Sequence, residues 1–144
     1  LPVTDPGMTR FSITMRVGIE LVLYALGEGL GGEIVVPVAP SYTVSDIATA
    51  IAPEAQQKII GARPGEKMHE SMFSMTEAPF VLRNDKYYIV TPQTGPIKLE
   101  GFRELIPGGR PLKEYFEYCS SENNDWLSVM DIQNLVKSEL GVEC

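Results

Sequence analysis

The sequence predicts an α+β fold, a small mixed helix/strand assembly that leans on another domain. Two observations carry this expectation. Helical and extended patterns alternate in short pieces, and no βα unit has the length of a doubly wound sheet. Clusters of Gly, Pro, Asn and Asp also mark the changes of pattern, as turns require.

Taken in order, residues 1–12 read as a loop running into a short strand near Arg10 and Phe11. Thr14 has the hydroxyl of an N-cap. The helix it opens runs from Met15 to about Leu26, with apolar residues on most sides, the pattern of a well-buried helix. The glycines within residues 27–32 end it, and Glu33 to Pro37 follows as a strand bounded by Gly and Pro. Thr43 begins a second helix, with Asp46 completing a variant of the capping box. Val44, Ile47, Ala48 and Ile51 share one of its faces, and Pro53 stops it. Lys58 to Ile60 is a further short strand, Gly61 to Gly65 a turn, and Glu66 to Met72 a short helix. Residues 80–91 read as a β-hairpin turning at Asn84-Asp85, two residue types that tolerate positive φ. Residues 92–126 are rich in Gly and Pro and mostly irregular. Ser128 and Asp131 form a capping box, and Leu127 and Ile132 a hydrophobic staple, for a C-terminal helix within residues 127–140. Its apolar stripe is Ile132, Leu135, Val136 and Leu140, and Gly141 ends it.

A chain of 144 residues is long enough for one domain with a real core, and 44% hydrophobic with 22% charged residues is ordinary for a soluble protein. No apolar run approaches the roughly 20 residues that span a bilayer. The longest, Gly18 to Leu26, contains Glu20. The start, Leu1 to Asp5, has neither the basic nor the apolar part of a signal peptide. It also lacks an initiator Met, which points to a fragment, a trimmed chain or a processed one. The net charge of −7 argues against nonspecific nucleic-acid binding, which rests on Lys and Arg against phosphate. A local pair of arginines can still hold a small anion. Cys119 and Cys144 have no metal-ligand spacing and make no disulfide framework, which reads as a reducing, cytoplasmic compartment.

Three motifs could carry chemistry. The Gly-x-Gly pattern within residues 27–32 follows a helix and opens a strand, the reverse of a dinucleotide loop, so it reads as a helix end and turn. His69-Glu70 resembles the start of a zinc-protease motif, but the second histidine is missing and no cysteine is near. The plainer reading is a partly exposed helical histidine. No Gly-x-Ser-x-Gly elbow motivates a Ser-His-Asp triad. The third motif, Gly61 to Glu70, says most. Its turn delivers Arg63, a planar fork suited to pyrophosphate, and Glu66, an acceptor for two neighbouring ribose hydroxyls. Arg10 could supply a second phosphate contact. From the residues alone, a surface turn with Glu66 as a helix cap and solvated charges stands ahead of that ligand site.

Several segments, in order along nearly the whole chain, shift the balance. They are Pro2-Val3-Thr4-Asp5-Pro6 with Met8-Thr9-Arg10-Phe11, Gly31-Gly32-Glu33-Ile34 with Val36-Pro37, and Ala52-Pro53. They continue as Ile59-Ile60-Gly61 with Arg63 to Lys67 and His69-Glu70, then Tyr118 with Ser120-Ser121 and Asn124 to Ser128. Together these resemble the inverting UDP-N-acetylglucosamine 4,6-dehydratases, extended short-chain dehydrogenase/reductases of bacterial polysaccharide and flagellin-sugar pathways.

The resemblance implies a two-part enzyme, with a Rossmann domain for NADP and a smaller C-terminal region over the nucleotide sugar. Oxidation at the sugar C4 acidifies C5–H, water is lost across C5 and C6, and hydride returns to C6. The product is a 4-keto-6-deoxy sugar with C5 inverted. Residues 1–144 would be the C-terminal nucleotide-sugar-binding region. The family's Tyr-x-x-x-Lys pair is absent, since none of the six tyrosines is followed four residues later by Lys. No catalytic residue, no metal ligand and no bound cofactor are expected in this chain; NADP belongs to the intact enzyme. By resemblance Arg10 and Arg63 stand for pyrophosphate arginines and Glu66 for the ribose carboxylate. Gly7, Ser12 and Val38 replace a usual arginine, a usual tryptophan and a common lysine, which bears on the loop leading in and on sugar specificity. Expected partners are a UDP-sugar, the missing Rossmann domain and further copies in a homo-oligomer. An apolar surface over residues 1–26 is expected where that domain would sit. The alternatives are a UDP-sugar 4-epimerase, a dehydratase that also epimerises C5, or a non-catalytic interaction module that keeps only the fold.

Overall fold

The structure, a computed structural model, describes residues 1–95 and 97–141. Along the chain run β1 (Pro2–Val3), β2 (Thr9–Phe11), α1 (Met15–Glu28), β3 (Ile34–Pro37), β4 (Ser41–Thr43), α2 (Val44–Ile51) and β5 (Lys58–Ile59). There follow β6 (Ser71–Phe73), a 3-10 turn (Ala78–Phe80), β7 (Val81–Arg83), β8 (Tyr87–Val90), α3 (Leu99–Leu105), β9 (Arg110–Pro111), β10 (Tyr118–Cys119) and α4 (Val129–Leu140). The architecture is α+β. The chain divides into two compact units, one of residues 1–12, 39–70 and 119 onward, the other of residues 13–38 and 71–118.

In the first unit β1 pairs in parallel with β5, matching Val3 to Ile59, and β2 runs antiparallel to β4, matching Arg10 to Tyr42. The chain after Asn123 lies beside β4. Ser41 donates its N–H to the Asp125 carbonyl, its own carbonyl accepts from Leu127, and Asn123 Nδ2 bonds the Ala39 carbonyl at 2.8 Å. Trp126 forms a bridge to Ser41 there, and its indole N–H reaches the Asn123 carbonyl. Helices α2 and α4 pack together. Thr43 caps α2 by accepting from the Asp46 N–H. The buried residues of α2 are Ala48 and Ala50; Ile51, expected on the packed face, is exposed. Small side chains let α4 come close, and Gln133 bonds the Ala50 carbonyl. On α4, Ile132 is buried and Leu135 and Val136 are partly covered, while Leu140, expected in the stripe, is exposed in the last turn.

The second unit is built on a four-stranded antiparallel sheet in the order β3-β8-β7-β9. All four residues of β8 are buried, because both faces are covered. Leu82, Tyr87 and Ile89 meet Phe102 and Ile106, with Leu21, Tyr24, Leu30 and Val35 packed against them. Tyr88 instead joins Phe73, Phe116 and Tyr118 in an aromatic cluster, with centroids 4.9 Å from Tyr118 and 5.3 Å from Phe73.

Several expectations are corrected here. Helix α1 has no buried residue: only one edge, with Leu21 and Tyr24, meets the core of its unit. Met15, Ile19, Val22, Leu23 and Leu26 stand exposed, since no element of that unit lies over them. The hairpin turns one residue later than expected, at Asp85-Lys86, and no described non-glycine residue has positive φ. The Asn84 carboxamide sets that turn by accepting from the N–H groups of Lys86 and Tyr87. Residues 92–126 are less irregular than expected. They contain α3, which has no side-chain cap and is held by Phe102 in the core. At the end of α1, a Cβ on Gly29 would collide with the Ala25 carbonyl oxygen, so the chain leaves the helix where only glycine fits.

Ser128 closes a reciprocal capping box with Asp131. Its loss in Ser128→Ala is expected to destabilise by about 0.5–2 kcal/mol, read as a lower denaturation midpoint. In the second unit, the Ser74 backbone N–H and hydroxyl hold the Glu77 carboxyl below its ordinary value. A depressed folded value means stabilisation present above the ordinary carboxylate range and lost as pH falls through the lowered one. Glu77→Gln should therefore flatten the acid limb of a stability-against-pH curve and leave its shape unchanged at neutral pH.

Candidate functional site

The site expected from sequence lies within the first unit, on the turn that follows β5. Gly65 supplies φ of +80°, which lets the chain double back between Arg63 and Glu66. The two residues then bond reciprocally. Glu66 N–H donates to the Arg63 carbonyl at 3.0 Å, and Glu66 Oε2 accepts the Arg63 N–H at 3.0 Å. One carboxylate oxygen is thus used to hold the turn, and Oε1 remains for an outside donor. Arg63 is exposed, and among the described residues its guanidinium makes no ion pair.

The helix expected at residues 66–72 does not form. Carbonyls that would accept from N–H groups four residues on are claimed from outside the turn. Met68 O accepts the Thr9 N–H at 3.0 Å and an Arg10 Nη1 donor at 3.2 Å, and Lys67 O accepts from Arg10 Nη2 at 2.9 Å. Residues from Ser71 become β6 instead.

Arg10 therefore has a fuller role than expected. Nη1 also donates to the Thr9 carbonyl at 2.7 Å, Nε faces Glu70 Oε1 at 3.5 Å, and Nη2 makes its weakest contact with Met8 Sδ at 3.9 Å. Five N–H donors meet five acceptors of the chain itself. A pyrophosphate contact by Arg10 has to displace one of them, and the sulfur contact is the one most easily exchanged. Beside Arg10, burial pushes the Tyr42 phenol up, with the guanidinium opposing. The structure thus joins Arg63 to Glu66 directly, and ties Arg10 to the same turn through Lys67 and Met68.

Thr9, Ser120 and Glu70 join the site in the structure without a local sequence pattern that marks them as site residues. Thr9 Oγ1 lies 2.9 Å from His69 Nδ1 and 2.6 Å from Ser120 Oγ, which accepts the Glu70 N–H at 2.9 Å. His69 is exposed as expected, but on a turn rather than a helix. The alternation of a strand, which turns Thr9 and Arg10 to opposite sides, was the available signal. Among the described residues no group of three or more His, Cys, Asp or Glu could hold a metal ion. Cys119 is free, and Cys144 lies outside the described residues. No described helix is long and apolar enough to cross a membrane.

The family model for polysaccharide biosynthesis protein matches residues 1–92. The chain belongs to that family. It is 34% identical over 144 residues to the inverting UDP-N-acetylglucosamine 4,6-dehydratase of Campylobacter jejuni serotype O:23/36 (strain 81-176), a match covering 98% of this chain and 43% of the relative. It is 37% identical over 140 residues to the UDP-glucose 4-epimerase of Rickettsia felis, covering 94% and 40%. The chain spans less than half the length of these relatives. Among solved structures, Pen from Bacillus thuringiensis superposes with a TM-score of 0.82 at 21% identity, over 99% of this chain and 42% of that one, a likeness of fold.

Removing the Arg10 side chain should loosen the turn. Arg10→Ala is expected to destabilise by about 1.5–3 kcal/mol, the scale of a charged hydrogen bond, with Lys recovering only part. Chemical denaturation followed at Trp126 measures it, and an unchanged midpoint would show that water replaces these bonds without loss.

Proposed function

We propose that this chain is the UDP-sugar-binding portion of a UDP-N-acetylglucosamine 4,6-dehydratase, a lyase making a 4-keto-6-deoxy sugar nucleotide for bacterial surface polysaccharide or glycan synthesis. The observation that carries it is the Arg63–Glu66 turn. There, among the described residues, the Arg63 guanidinium makes no ion pair, and Glu66 uses one carboxylate oxygen to hold the Arg63 N–H. The fork matches a pyrophosphate, and the carboxylate oxygen accepts from a ribose hydroxyl on the side away from the phosphates. Arg10 joins by exchanging its sulfur contact for a phosphate oxygen. The same reading places the protein in the cytoplasm.

NADP would be held outside this chain. The glycines of residues 27–32 close α1 and open β3, so no helix N-terminus faces a phosphate there, and no tyrosine has its lysine four residues on. The residues present do not fit the cofactor, and no redox step is assigned to them. The exposed stripe Met15, Ile19, Val22, Leu23 and Leu26 is the surface that a cofactor-binding domain would cover, with self-association of the isolated chain as the consequence. The likeness to UDP-glucose 4-epimerases favours a second reading with the same nucleotide site and a different outcome at the sugar. Product analysis on a longer protein containing this region separates the two.

Calorimetry with UDP tests the site on the chain itself. Arg63→Ala should weaken binding by about 1.5–3 kcal/mol, Arg63→Lys should recover part of that, and Glu66→Gln should cost less because its amide keeps an acceptor oxygen. Binding that survives removal of both Arg10 and Arg63 would end the nucleotide reading. With NADP and UDP-N-acetylglucosamine supplied, the 144-residue chain should form no 4-keto-6-deoxy product.

A further inference from the structure

The polar chain behind His69 has a direction. Ser120 is fully buried and Thr9 is 5% exposed, so neither hydroxyl turns to water for a partner. Ser120 Oγ already accepts the Glu70 N–H. Among the described residues its own hydrogen meets one acceptor, Thr9 Oγ1 at 2.6 Å. Thr9 then accepts from Ser120 and donates its hydrogen to the remaining neighbour, His69 Nδ1 at 2.9 Å. In this order each hydroxyl donates once and accepts once. The opposite order has Nδ1–H donating to Thr9 and Thr9 to Ser120, and it strands the Ser120 hydrogen in the interior. A buried donor without an acceptor is costly enough to disfavour that order by roughly tenfold.

We propose that Thr9 and Ser120 are positioning residues that lock His69 in the tautomer carrying its proton on Nε2, and that this lock holds the ligand turn from behind. Successive residues of β2 face opposite ways. Arg10 grips the carbonyls of Lys67 and Met68 from one side, while Thr9 takes the next residue, His69, from the other. Ser120 fastens the residue after that, accepting the Glu70 N–H and donating its own backbone N–H to the Glu70 carbonyl at 2.8 Å. Residues 67–70 are thereby held one after another, and the Arg63–Glu66 turn is carried on that fixed base.

The chain has one histidine, so nitrogen NMR of histidine-labelled protein at alkaline pH reads the tautomer without ambiguity. The expected spectrum shows the proton on Nε2. Thr9→Val should give a mixture of tautomers and at least about fivefold faster amide exchange at Glu66 and Glu70, and Thr9→Ser, which keeps the hydroxyl, should restore both. A proton on Nδ1 in the unaltered chain overturns the proposal. So does a Thr9→Val protein with unaltered ring signals or unaltered exchange. If Thr9→Val fails to fold, the unaltered chain and Thr9→Ser decide, and both must show Nε2–H. The last arm rests on the proposed nucleotide site. UDP should bind Thr9→Val at least about fivefold more weakly than the unaltered chain and Thr9→Ser nearly as tightly. Equal UDP affinity in Thr9→Val overturns the positioning role. A chain with the expected tautomer and exchange that binds no UDP overturns the nucleotide reading and leaves the lock standing.

Discussion

Arg10 reaches three backbone carbonyls, one carboxylate and one thioether from a side chain that is itself only 23% exposed. A planar group with five fixed donors is the one side chain that can do this from a single position. It stops residues 66–70 from winding into a helix, which leaves Met68 O free to accept from β2 and lets the chain enter β6 directly. The turn bearing Arg63 and Glu66 is short and largely exposed, with little apolar burial of its own, so its shape depends on this polar attachment.

The features legible in the sequence are those decided within one turn of chain. Thr14, Thr43 and Ser128 cap their helices as hydroxyls three residues before an amide should. What escaped was decided at a distance. Helix α3 lacks a side-chain cap and is held by Phe102 and Ile106 in the core, which no local pattern announces. The carbonyls of Lys67 and Met68 were lost to an arginine 57 and 58 residues away. The Thr9–Ser120 bond spans 111 residues. Helix α1 differs for another reason: apolar residues on most sides predict burial, yet its own unit covers only one edge.

An overall charge of −7 coexists with a cation that no described acid neutralises. Glu66 bonds the Arg63 backbone amide through Oε2 and makes no ion pair with its guanidinium. Glu70, the other nearby acid, is shared between Arg10 and Lys67. Among the described residues the Arg63 guanidinium thus stands without an ion pair within an acidic protein. At physiological ionic strength, screening over roughly 8 Å leaves an approaching anion to respond to this near field more than to the total charge.

Trp126, the single tryptophan, is bridged to Ser41 and bonded through its indole to Asn123, all within the first unit. The second unit has tyrosine and phenylalanine in its aromatic cluster instead. Indole fluorescence is thus a reporter confined to the half of the chain that carries the Arg63–Glu66 turn, whereas far-ultraviolet ellipticity sums over helices and strands of both. Melting curves from the two probes coincide only if the units lose structure together. The position of one aromatic ring makes the cooperativity of the whole chain measurable without a label.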